Sequence, residues 1–147
     1  MKEKQNDNII FLNLIYQNAD MGIIGIDTVL KKVENDKLAR IISKQRAEYE
    51  QIENEVQKIL LKFGAKEEEI SKLKELRTKM MSEAMTIGKS DNEIAKMMMQ
   101  GNERGALEVQ EKLNMYKEQD IDEEVISIAR KHLDTVEHNR EELKEFL

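Results

Sequence analysis

Four polar residues stand where a helical hydrophobic stripe calls for apolar ones: Gln45, Asn102, His132 and Asn139. Each is in step with aliphatic neighbours spaced alternately four and three, a rhythm that keeps one face of a helix toward a partner. Burying any of them unpaired would cost about 1–3 kcal/mol, so their presence needs a reason. Tyr49 shares the rhythm and completes a candidate polar core layer. One chemistry available to such a set is a small polar pocket. Another is a weak metal site built on His132 with Asp20 or Glu103, taking iron or manganese. The commoner role is a hydrogen-bonded layer that fixes helix register and needs no cofactor. Tyr16, Tyr49 and Tyr116 all fall on stripes, where a large ring with a hydroxyl reaching a neighbour is the ordinary use.

Gly22, Gly25, Gly101 and Gly105 interrupt helical patterns, each at roughly 1 kcal/mol relative to Ala. Close approach of two backbones would explain them, and Gly22 and Gly105 are predicted to face each other at a helix crossing. They do not open a helix after a strand, so a phosphate-cradling role is not indicated.

Five helical segments are expected to carry these residues. The first spans about 8–34, with Leu12, Tyr16, Ala19, Ile23, Ile26, Leu30 and Val33 on its stripe, and Asn35-Asp36 forms a short turn. The second runs through Leu38, Ile42, Gln45, Tyr49, Ile52, Val56, Ile59 and Phe63 to Gly64, a residue suited to the left-handed position after a helix. A third, less regular segment covers about 66–88. Ser90-Asp91-Asn92-Glu93 then reads as a capping box for a fourth helix carrying Ala95, Met99, Asn102, Ala106, Val109, Leu113 and Tyr116. The last carries Val125, Ala129, His132, Val136, Asn139, Leu143 and Phe146.

The chain of 147 residues has room for one domain, 1–147, and no proline breaks any helix. The expected fold is therefore all-α: a four-helix bundle of two antiparallel hairpins, about 8–64 and 90–147, joined by a helical crossover over about 66–88. A shift of 83 residues lays the first helix on the fourth, with Asp20 on Glu103 and Gly22 on Gly105. A shift of 87 lays the second on the last, with Gln45 on His132 and Tyr49 on Val136, which suggests duplication of one hairpin.

Two hairpins joined by a long crossover resemble the ferritin-like superfamily, most closely its bacterial branch of unknown function, whose crossover is itself helical. The Glu103-Arg104-Gly105 step and the stretch from His138 to Leu143 are similar to that branch. The resemblance implies a di-metal site built from one Glu on each of two helices and Glu-x-x-His on each of the other two. Asp20 and Glu103 lie on the helices that would give the single carboxylates. The other half departs from the pattern: the residues three before His132 and His138 are Ala129 and Thr135, and the second helix has no histidine. Glu48-x-x-Gln51 and Thr135-x-x-His138 would be eroded remnants of it.

A net charge of −6 with no basic stripe argues against nucleic acid, and the absence of cysteine excludes disulfides and thiolate sites. The most apolar stretch, Ile9 to Tyr16, is too short to span a bilayer, so a cytoplasmic protein without membrane attachment is expected. Methionines cluster at Met80-Met81, Met85 and Met97 to Met99. They would fill an irregular seam or leave a surface for a homodimer or another protein partner. With no nucleophile, acid–base pair or complete metal box, the expected function is a non-enzymatic structural or protein-interaction bundle. The alternative is a ferritin-like protein with a degenerate metal or small-ligand site.

Overall fold

Unbroken runs of helix formers become four α-helices and two short 3-10 turns in the computed structural model, which describes residues 2–66, 90–116 and 120–147. Helix α1 is Lys2–Val29 and continues as a 3-10 turn, Leu30–Lys32. Helix α2 is Asp36–Lys62, α3 is Asp91–Met115, and α4 is Glu123–Leu143, followed by a 3-10 turn at Lys144–Phe146. The first helix thus ends before Glu34. Its last turn tightens, Val33 turns extended, and the Asn35 side chain accepts from the backbone N–H groups of Lys37 and Leu38 to start α2. Ser90 caps α3 by accepting from Glu93 N–H, and Asp122 caps α4 by accepting from Glu124 N–H. Gly64 adopts φ 89° just past α2, in the left-handed region.

Side chains at the helix ends define how the bundle is assembled. Lys37 pairs with Glu145 at 3.0 Å and Lys62 with Glu124 at 2.9 Å, so α2 and α4 run antiparallel. Arg46 clamps Asp27 and Gln57 donates to Tyr16, which sets α1 antiparallel to α2. The Asp91 carboxylate accepts from the N–H groups of Glu34 and Asn35, each at 3.0 Å, and ties the start of α3 to the α1–α2 turn. Asn8 accepts from Asp122 N–H at the other end, beside the start of α4. In cross-section α1 and α4 each touch α2 and α3, and they also touch each other across the bundle. Helix α2 finishes at the end of the bundle opposite the start of α3; the crossover helix expected over about 66–88, with Met80, Met81 and Met85, lies outside the described residues.

The core stripe of α1 is broader than periodicity implied: Phe11, Leu12, Ile15, Tyr16, Ala19, Ile23, Ile26 and Val29 are all fully buried, while Leu30 and Val33 are half-buried. The stretch Asn6–Lys32 is, among the described residues, the one helix long and apolar enough to cross a membrane, a longer run than Ile9 to Tyr16 alone. Half of its most apolar window is buried inside the bundle, so its length and composition also suit a core helix. Helix α3 is the poorest core former. It buries Ile94, Ala95, Met98 and Val109 fully, and nothing between Met98 and Val109, a gap of about three turns. Met99, Asn102 and Ala106, expected on its buried stripe, are only half-buried.

Candidate ligand-binding site

That gap in α3 opens a cavity of about 350 Å³ between α1 and α3. Gly22 and Gly25 of α1 and Gly101 and Gly105 of α3 all line it. Most of its wall is apolar, from Met21, Ile24, Met97, Met98 and Val136, with Asn18, Thr28, Tyr49 and Asn102 as polar residues and Arg104 and Glu108 exposed on α3. The mixture fits a small-molecule site, where apolar walls supply affinity and a few polar groups set orientation. A larger depression of about 740 Å³ runs along α4 past Glu48, Arg130, Lys131 and Asp134. It is wide open and charged, so it offers a ligand little desolvation.

The glycines divide into two pairs. A Cβ at Gly22 would come within 2.8 Å of the Tyr49 ring, and one at Gly105 would strike the Asn18 amide, 2.8 Å from its Cγ. Each glycine makes room for a polar side chain of a neighbouring helix: the atoms nearest an added Cβ belong to Tyr49 at Gly22 and to Asn18 at Gly105. At Gly25 and Gly101 no described residue outside the local helix lies within 4 Å of an added Cβ. Packing explains the first pair and leaves the second, with its helix-propensity penalty, unexplained.

Beneath the cavity lies the polar layer. Gln45, His132 and Asn139 are fully buried, Tyr49 is 1% exposed, and Asn102 is half-buried. Gln45 Nε2 donates to the backbone carbonyl of Asn139 at 3.2 Å. The Tyr49 and His132 rings lie 6.2 Å apart, tilted by 57°. His132 Nε2 meets Asn18 Oδ1 at 2.6 Å, which places the ring proton on Nε2 and leaves Nδ1 a bare acceptor. Few of these groups satisfy one another. Among the described residues, the Tyr49 hydroxyl, His132 Nδ1, Gln45 Oε1, Asn102 Nδ2 and both amide atoms of Asn139 are buried without a hydrogen-bond partner. Asn139 and Asn102 are near enough to the phenol to offset some of the effect of burial on its proton, yet neither meets it at bonding geometry.

Burial decides the protonation states. It pushes the Tyr49 phenol up to about 12, so Tyr49 is a hydroxyl donor at any ordinary pH. It pushes His132 down to about 4, so the imidazole is neutral. The other two tyrosines are used as cores use them. Tyr16 accepts from Gln57, and Tyr116 packs its ring against Phe11 with centroids 5.5 Å apart.

The metal candidates are placed apart in kind. His132 and Asp20 are buried, Glu103 is exposed, and among the described residues no three His, Asp or Glu side chains converge on a point that would hold a metal ion. The Asp20–Glu103 equivalence suggested by the repeat therefore does not extend to burial. Asp20 and Glu53 are both buried and both have interaction partners. Gln51 and His138 are exposed, the latter 3.5 Å from Glu142. These donors do not fit a di-metal pair.

Asn18 was not legible as a site residue, since it adjoins Gln17 and reads as surface. Its only signal was the glycine on another helix that admits it. Comparison with known proteins adds no precedent: no family model, no curated protein and no solved structure matches this chain.

Proposed function

We propose that this chain is a ferritin-like bundle in its chain path that binds a small, largely apolar molecule in the α1–α3 cavity, in place of a metal pair. The observation that carries this reading is a mostly apolar cavity of about 350 Å³ between α1 and α3 that four in-helix glycines line. Gly25 and Gly101 each carry a helix penalty of roughly 1 kcal/mol, and no described residue outside the local helix lies within 4 Å of a Cβ added at either. A site kept for a ligand accounts for both, since binding sites are where stability is commonly given up for function. The chain's part is recognition; no bond-making step is assigned to it.

Met21, 49% exposed at the cavity rim, supports a second reading in which a partner helix or second copy covers the mouth. That reading requires association, and the small-ligand reading does not.

Toluene tests the cavity directly on the purified full chain. Ligand that binds only the folded state stabilises it by about 1.4 kcal/mol at ten times its Kd. We expect a rise in melting temperature, with chemical-shift changes at the methyls of Met97 and Met98 while the protein stays monomeric by sedimentation. No change at either methyl and no rise at saturating toluene would remove the cavity as a binding site.

A further inference from the structure

We infer that the ligand carries one group able both to accept and to donate a hydrogen bond, a hydroxyl or a primary or secondary amide. Asn18 Nδ2 of α1 and Asn102 Oδ1 of α3 hold that group between them. This rests on the reading of the α1–α3 cavity as a ligand site and specifies what that site selects.

Most polar groups on the cavity wall are committed, closed off or out at the rim. Thr28 donates its hydroxyl to the Ile24 carbonyl at 2.7 Å, and the Tyr49 hydroxyl is shut into the core layer. Arg104 and Glu108 are exposed on α3. Asn18 and Asn102 differ: both are half-buried, and each turns one end of its amide inward and leaves the other outward. Asn18 gives its oxygen to buried His132, 2.6 Å from Nε2, so the nitrogen is the outer end. In Asn102 the nitrogen is the buried end, which leaves the oxygen as the outer one. Neither outer atom is closed to solvent, and neither meets a partner among the described residues. The wall thus offers one free donor and one free acceptor.

Gly105 brings the two together. In the space left by its missing Cβ the Asn18 amide settles against α3, with its nitrogen nearest to where that Cβ would stand. Asn102 lies three residues before Gly105 on the same face of the helix, about 5–6 Å away between Cβ positions. Donor and acceptor therefore share one stretch of wall. A hydroxyl oxygen can accept from one and donate to the other, and an amide can do so through its oxygen and N–H. A ketone answers Asn18 alone and takes water from the Asn102 oxygen without replacing it. His132 acts here as a positioning residue, because its Nε2 fixes which end of the Asn18 amide faces out. A dry cavity of about 150 Å³ accepts benzene, so one of about 350 Å³ has room for an aromatic or aliphatic body beside this group.

Three probes on one skeleton test the pairing with the full-length protein: 1-phenylethanol, which donates and accepts, acetophenone, which only accepts, and cumene, which does neither. Affinities are read by calorimetry for the wild type, Asn18→Leu and Asn102→Leu. Each hydrogen bond is worth roughly a factor of ten, so the phenylethanol-to-cumene affinity ratio should fall about tenfold in either variant. The acetophenone-to-cumene ratio should fall in Asn18→Leu only. Gly105→Ala, which keeps Asn18 but fills its seat, should repeat the Asn18→Leu pattern and serves if that variant does not fold. A merely structural role would change all three probes alike. Ratios unchanged in every variant, with cumene still binding, overturn this inference and leave the cavity reading in place. An acetophenone ratio that falls in Asn102→Leu as far as the phenylethanol ratio overturns Asn102 as the acceptor, and the pairing with it. Failure of all three probes together with toluene overturns both readings.

Discussion

Lowering the pH from 7 to 4 should destabilise this protein by on the order of 3 kcal/mol through His132 alone. Burial lowers the folded-state pKa of the imidazole from 6.5 to about 4, because it strips the charged ring of the solvation it would have in the unfolded chain. A depressed folded pKa means the unfolded chain binds the proton more readily. The contribution is therefore fully present above pH 6.5 and is lost as the pH falls toward 4, at up to about 1.4 kcal/mol per unit. Many carboxylates also titrate near the lower end of that window, so the comparison is with His132→Gln, whose amide stays neutral and can still donate to Asn18. The difference between the two urea-denaturation stability curves should be flat above pH 7 and fall steadily below 6.5. Parallel curves down to pH 4 would mean that the imidazole protonates in the folded state without penalty and that its surroundings are wet.

Tyr49→Phe should raise the stability of the ligand-free protein by about 1 kcal/mol, the reverse of the usual result of removing a buried polar group. The phenol ring fills space that Gly22 leaves for it, and Phe preserves that packing. What disappears is a buried hydroxyl that meets no described residue at bonding geometry. A register-fixing layer predicts the opposite sign, because there the hydroxyl would be one link in a satisfied network. Chemical denaturation of wild type and variant, without added ligand, separates the two: a loss of 1 kcal/mol or more on substitution would identify Tyr49 as a structural hydrogen-bonding residue.

Much of this arrangement could be read from spacing because burial in a bundle follows helical period. His132, Gln45, Tyr49 and Asn139 are in phase with aliphatic residues, and the structure buries all four. Ser90 was legible as the cap of α3, since an oxygen-bearing side chain there answers a local need, whereas Asn35 read only as part of a turn. What could not be read depends on contacts between helices. Asn18 is drawn inward by the missing Cβ of Gly105, a relation across 87 positions that no local pattern encodes. The glycine penalty was visible, but the identity of the group filling each space was not, and at Gly25 and Gly101 no described residue fills it. The end of α1 was misplaced for a smaller reason: Leu30 and Val33 keep the period although the last turn has tightened and the chain has left the helix.

Those two open glycines allow the most direct test of the central claim, that α1 and α3 hold a cavity open for a ligand. In the double variant Gly25→Ala/Gly101→Ala, each methyl enters space with no described neighbour within 4 Å and removes a helix penalty of roughly 1 kcal/mol. The measurement is stability by urea denaturation, with and without saturating toluene. The account predicts a ligand-free protein more stable by up to about 2 kcal/mol, together with a toluene-induced gain smaller than in the wild type. A double variant that gains no stability, or that gains it and still responds to toluene as the wild type does, would contradict the account.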